Sequence, residues 1–270
     1  MSTKDRLAAL ARRRVALRTA HRWAPAFGCD PARCDLSGYE LIVLDGVGES
    51  ARDQLRVAKL LPPLQRHALV LGYLSLGTVE AWRPYASQVP DAWTIGAVDD
   101  WPGERYADVR ERGWRELMTE QAITLSARGF DGLYLDNLDV AEDHPPLADA
   151  LVALVRGLRE AAPELLLVAQ NGLAVDERLP IDAVAHEDVF WRWEDGYRRS
   201  PPAETEQLLR GLRRLHARGL PVFTLDYAEP GSAGAADAVR RSLQEGFHPA
   251  VSVLELDRPP HLAEPARSVV

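Results

Sequence analysis

Gly129-Phe130-Asp131-Gly132-Leu133-Tyr134-Leu135-Asp136-Asn137-Leu138-Asp139 holds a whole structural unit in one short stretch. The helically spaced segment 114–128 ends at a glycine, the residue that closes a helix in the left-handed conformation without a Cβ clash. Residues 132–135 are apolar with no polar alternation, the pattern of a strand covered on both faces. Acids and an amide follow at once. Helix, glycine, buried strand and strand-end carboxylates, in that order, describe a parallel α/β unit.

Reading outward, the unit recurs. Short apolar runs lie at 23–27, 40–44, 67–74, 132–135, 165–169, 183–185, 222–225 and 251–254. Helical spacing is clearest over 51–61, 114–128, 147–161, 203–218 and 233–245, and Gly219 and Gly246 close helices as Gly129 does. Eight strands in one domain predict closure into a (β/α)8 TIM barrel over residues 20–258. An extra helix over residues 3–19 is expected to pack on the barrel, covering its bottom or replacing a weak eighth helix. Residues 259–270 read as a proline-interrupted tail. Segment 77–106 breaks the alternation; it carries Trp82, Pro84, Tyr85, Pro90, Trp93, Trp101 and Pro102 and has no helical period. A connection this long in a compact domain is usually functional.

Bulk composition narrows the function. The chain has 270 residues, 46% hydrophobic and 27% charged, with a net charge of −8. That charge repels nucleic acid and anionic membranes but attracts a cationic ligand. Two cysteines, Cys29 and Cys34, exclude a disulfide scaffold and read as free thiols. The N-terminal segment has no apolar core for a signal peptide, and no run reaches the ~18 apolar residues of a membrane span; the expected location is cytoplasmic. The histidines lack metal-ligand spacing and no glycine-rich nucleotide loop follows a strand, so neither metal nor cofactor is expected.

What remains is a ring of polar side chains just past the apolar runs. In a barrel, all strand ends point to the one face where active sites are built. Asp45 follows the second run; Tyr73 and Ser75 end the third, with Glu80 close behind. Asp136, Asn137 and Asp139 end the fourth, Asn171 the fifth, Glu187 the sixth, and Asp226 and Tyr227 the seventh. Glu255 and Asp257 follow the eighth. Trp101, Glu104 and Trp191 sit in neighbouring loops. Paired carboxylates suit glycoside hydrolysis, where one protonates the leaving oxygen and the other attacks the anomeric carbon or activates water. Aromatic faces stack on the apolar faces of sugar rings. Asp131, at the opposite strand end, is expected to be structural, and His186 a wall residue.

These motifs resemble glycoside hydrolase family 114. The resemblance rests on Leu71-Gly72-Tyr73-Leu74-Ser75-Leu76-Gly77-Thr78-Val79-Glu80, on Trp101-Pro102-Gly103-Glu104 with Asp108 following, and on residues 129–139. Asp226-Tyr227-Ala228 and Gly246-Phe247-His248-Pro249 extend it over residues 20–257. It implies a TIM barrel with endo-α-1,4-polygalactosaminidase activity and an acid pair at the ends of strands four and six, here Asp136 and Glu187. The family often has asparagine before the strand-six glutamate, where this chain has His186, and it is commonly secreted. The expected chemistry is metal-free, with Glu187 as general acid and Asp136 as nucleophile or base, although the roles could be reversed. Asp45, Glu104 and Asp226 would attract a cationic amino sugar, with Tyr73, Ser75, Trp101, Asn137, Asp139, Asn171, Trp191 and Tyr227 as further substrate contacts. The rival reading is a non-catalytic carbohydrate-binding barrel.

Overall fold

A computed structural model describes residues 3–260 except 31, 49 and 100. Eight strands form one parallel sheet in chain order: β1 (Trp23–Pro25), β2 (Leu41–Leu44), β3 (Leu69–Ser75), β4 (Gly132–Asp136), β5 (Leu166–Gln170), β6 (Ala183–Glu187), β7 (Val222–Tyr227) and β8 (His248–Ser252). Each pairs in parallel with the next. The Trp23 indole N–H donates to the His248 carbonyl at 3.0 Å, joining the first strand to the last. The fold is the expected TIM barrel. Strand β8 begins earlier than the hydrophobic run suggests, because Pro249 reads as a strand breaker. At the edge of the hydrogen-bonded sheet a missing N–H is tolerated.

The helices are α1 (Thr3–Arg18), α2 (Ala51–Leu64), α3 (Arg112–Arg128), the single turn α4 (Val140–Asp143), α5 (Ala148–Ala161), α6 (Pro202–Ala217) and α7 (Ala233–Gln244). Among the described residues no long helix follows β1, β5 or β8, and no helix is long and apolar enough to cross a membrane. Gly129 caps α3 at φ 99°, as its position predicts. Segment 77–106 is not an irregular loop. It folds into a three-stranded antiparallel sheet of Thr78–Glu80, Glu104–Ala107 and Thr94–Ala97, in that spatial order. Its strands are three or four residues long and partly exposed, too short for a legible period.

Strand parity sorts the side chains into two layers. Leu71, Tyr73, Tyr134, Leu166, Val168, Ala183, Ala185, Phe223, Leu225 and Tyr227 fill the barrel interior. The alternate residues Val70, Leu74, Leu133, Leu135, Leu167 and Ala169 pack outward against helices, as do Val184 and Val222. Continuing the count, Asp136 shares parity with Tyr134 and Glu187 with Ala185, so both carboxylates point inward. Asp226 shares parity with Val222 and faces outward.

At the barrel bottom, α1 is tied to the acids that precede β4 and β6. Arg13 Nε donates to Asp131 Oδ1 at 3.0 Å, and Arg14 Nε to Asp182 Oδ1 at 2.6 Å. Arg159 Nη2 and the Leu167 amide both donate to Asp182 Oδ2, and the Val70 amide donates to Asp131 Oδ2. Asp182→Ala leaves the Leu167 amide without an acceptor and strips Arg14 and Arg159 of their shared carboxylate. Thermal or urea unfolding should show a loss of about 3 kcal/mol; an unchanged midpoint would contradict this role.

Candidate active site

Ten of the thirteen expected residues line one hollow at the C-terminal face: Asp45, Tyr73, Trp101, Glu104, Asp136, Asn137, Asp139, Asn171, Glu187 and Tyr227. Its volume is about 420 Å³. Phe27, Glu80, Trp82, Arg83, Leu254, Glu255 and Leu256 complete the walls. Seven carboxylates and one guanidinium face it, so the hollow is strongly negative.

Glu187 is held from several sides. The Tyr227 hydroxyl donates to Oε1 at 2.8 Å, and the Asn171 amide group lies 3.4 Å from Oε2. The Glu187 backbone N–H donates to Asn171 Oδ1 at 3.0 Å, and the Gln170 side chain reaches the same carboxyl. Burial raises the Glu187 pKa, opposed by these donors. The Asp136 pKa is raised as well. Burial acts first, then the like charges of Glu187 and Asp139, opposed by the Asn137 backbone amide and the Tyr73 hydroxyl. Asp139 is pushed up to about 7 by burial and by Glu187. Partial burial and mutual repulsion of these like charges favour keeping a proton within the set near neutral pH. In the free protein the donors favour the anion on Glu187, and repulsion favours the proton on Asp136. The sequence puts the acid's role on Glu187 first and allows the reverse. The Tyr134 hydroxyl is buried beside both carboxyls and has no hydrogen-bond partner among the described residues.

The backbone bends sharply above these strands. Asn137, Asn171 and Asp188, each directly after the last inward residue of β4, β5 and β6, have φ of 58°, 56° and 57°. Left-handed non-glycine residues are uncommon, and Asn and Asp tolerate the conformation best. The Asn137 amide group donates to Ser75 Oγ at 2.8 Å and Thr78 Oγ1 at 3.0 Å, and Thr78 Oγ1 donates to Glu104 Oε2 at 2.8 Å. Ser75 therefore buttresses Asn137 beneath the surface and does not line the hollow. Gly77 is required here, since a Cβ would sit 1.9 Å from the Asn137 carbonyl oxygen. Gly77→Ala should displace Asn137 and lower kcat/KM by about tenfold or more, with a lowered Tm; kinetics matching the parent protein would contradict the close fit.

Two other expected contacts also lie elsewhere. Asp226 is fully buried on the outward parity, where Oδ1 accepts the backbone N–H groups of Phe190 and Trp191 at 2.6 and 2.8 Å. It holds the turn after β6 and does not line the hollow. Trp191 donates its indole N–H to Asp237 at 3.0 Å and packs against α7, where a Cβ on Gly234 would meet the ring at 2.8 Å. Adjacent Asp226 and Tyr227 cannot both face inward, so parity counting alone would have separated them.

Arg83 was not legible as a site residue. Its Nη1 donates to Asp45 Oδ1 and Oδ2 at 2.7 and 2.8 Å, its Nε and Nη2 to Glu80 at 2.6 and 3.0 Å, and its Cζ lies 5.4 Å from the Tyr73 ring centre. Asp45 and Glu80 are thus already charge-paired. Glu104, Asp136, Asp139, Glu187 and Glu255 are the lining acids without a guanidinium partner. The antiparallel excursion that carries Arg83 back over the mouth sets this clamp, and no local pattern announces it. Among the described residues no group of three His, Cys, Asp or Glu side chains is arranged to hold a metal ion.

The glycoside-hydrolase family GH114 model matches residues 53–263. An uncharacterised protein of Deinococcus radiodurans is 26% identical over 238 residues, covering 82% of this chain and 75% of that protein. An uncharacterised protein of Thermotoga maritima is 24% identical over 236 residues, covering 75% and 69%. The solved glycoside hydrolase domain of PelA from Pseudomonas aeruginosa superposes with a TM-score of 0.69 at 26% identity, covering 82% of this chain and 90% of that one. Aspergillus fumigatus Ega3, solved in complex with galactosamine, superposes at 0.70 with 16% identity, covering 91% and 97%, a likeness of fold.

Proposed function

This chain belongs to glycoside-hydrolase family GH114, and from that premise we propose that it cleaves an α-1,4-linked galactosamine-containing polysaccharide within the chain, using Asp136 and Glu187. One observation carries the reading: the two inward carboxylates line one hollow, where burial raises the pKa of both. A carboxylic acid beside a carboxylate is the pair that glycoside hydrolysis needs. Asp136 protonates the leaving glycosidic oxygen. Glu187, kept anionic by Tyr227, Asn171 and Gln170, attacks the anomeric carbon or activates water.

The substrate assignment is supported by charge. The lining acids without a guanidinium partner among the described ion pairs leave the hollow net negative even with Asp136 protonated, which draws in an ammonium-bearing sugar and disfavours acidic sugars. Galactosamine is the sugar present in the Ega3 structure. Trp82 and Trp101, 40% and 54% exposed, offer ring faces at one edge of the hollow. The test is a panel of neutral, acidic and amino-sugar polymers assayed for new reducing ends. De-N-acetylated galactosaminan should be cleaved fastest, at low ionic strength above all. No cleavage of any amino-sugar polymer would refute the assignment, and binding without cleavage would favour a lectin-like barrel. Glu104→Gln should raise KM for the amino sugar several-fold and flatten its salt dependence, measured across a sodium chloride series.

A further inference from the structure

The connection after β6 is an antiparallel hairpin, Trp191–Trp193 paired with Tyr197–Arg199, turning through Asp195 and Gly196 at φ 51° and 127°. Trp191 anchors it to α7. Trp193 lies opposite Tyr197 in the register, their ring centres are 4.9 Å apart at 76°, and Trp193 is 44% exposed. Tyr197 packs against the barrel-interior cluster. Its hydroxyl lies near the Leu254 backbone and within electrostatic reach of Glu255, Glu229 and Arg258, the last paired with Asp257. Leu254 and Glu255 are themselves walls of the hollow. The hollow's wall at Leu254 and Glu255 is thus followed outward by Tyr197 and then Trp193. This path leaves the hollow on the side away from Trp82 and Trp101, which sit on the excursion after β3.

The charges along this path suit a cation. The hairpin's arginines are occupied: Arg192 pairs with Glu194 and Glu204, Arg198 with Glu194, and Arg199 with Asp237. Glu229 and Glu255 have no such partner among the described ion pairs. We propose that Trp193, Tyr197 and Glu255 form an outlying subsite for a further amino-sugar unit of the same polymer. The ring faces stack on the sugar and the carboxylates receive its ammonium group. This rests on the hydrolase reading above and deepens it, because a chain held at both edges of the hollow is cut internally.

The test is Trp193→Ala assayed on α-1,4-linked galactosamine oligomers of graded length, with Trp193→Phe beside it. KM for the longest oligomers should rise about tenfold with kcat unchanged. The shortest oligomers that the parent protein cleaves should be affected less than about twofold, and Phe should restore most of the loss. A partly exposed ring gives no reason for Tm to fall. A length-independent loss, or one accompanied by a lowered Tm, would show a structural role and overturn the subsite while the hydrolase reading stood. Equal kinetics for the variant and the parent at every length would overturn it too. A parent protein that cleaves no amino-sugar oligomer would remove the substrate reading and the subsite together.

Discussion

Asp136→Asn and Glu187→Gln are each expected to lower kcat/KM on the polymer by about 10³- to 10⁴-fold, the usual cost of removing one member of an acid–base pair. The two losses should differ in kind. Departure of a sugar oxygen needs a proton, whereas departure of an activated phenolate does not. If the proton rests on Asp136, the Asn variant should recover most of its turnover on aryl glycosides with good leaving groups. The Gln variant at 187 should stay inactive on every substrate. The opposite pattern would exchange the two roles, and full turnover of the polymer by either variant would remove that residue from the chemistry. Neither change should unfold the protein. Asp136→Asn replaces a carboxyl that the fold keeps protonated with a neutral amide of the same shape, so its Tm should hold.

Raising the pH from about 6.5 to 8.5 should destabilise the protein by several kcal/mol, on the order of 10 °C in Tm. Four buried or half-buried carboxyls set the sign. Asp139 and Asp226 are raised to about 7, and Asp176 and Asp188 to about 8, each chiefly by burial. In the unfolded chain all four are ionised throughout this window; in the folded protein they hold protons that are lost as pH rises. A folded pKa above the unfolded value means stability present at low pH and lost through the folded pKa. His248 works the other way, lowered to about 4 by burial and by His21 and His216, but its contribution is complete above its unfolded pKa of about 6.5. Carboxyls lowered by arginine partners, such as Asp108 and Glu245, are ionised in both states here and add no slope. Calorimetry across the window checks this. A flat or rising Tm would mean the four acids are ionised in the fold. Asp176→Asn supplies an internal control, since removing a buried acid with an unpartnered Oδ1 should make the slope shallower.

The residues that carry local pattern were legible. Seven of the eight strands fall where the apolar runs lie, and Gly129 closes α3 where a glycine before a strand should. Residues 129–139 identified the acid on β4 because strand, turn and carboxylate are contiguous there. Glu187 was legible for the same reason at the end of β6. Non-local features were not. Arg83 reaches Asp45 and Glu80 only because a short-stranded excursion folds back over the mouth. Trp191, Asp226 and Ser75 carry the right chemistry at the right strand ends yet serve the scaffold.

From its order of residues alone, this protein determined an eight-stranded parallel barrel with a carboxylate after β4 and another after β6, because backbone periodicity and strand-end position are local properties. Tertiary structure decided which carboxylates share one hollow, which are silenced by Arg83, and which aromatic rings stay open to a sugar. Those outcomes depend on burial and on through-space distance between segments far apart in the chain, and neither quantity has a one-dimensional signature.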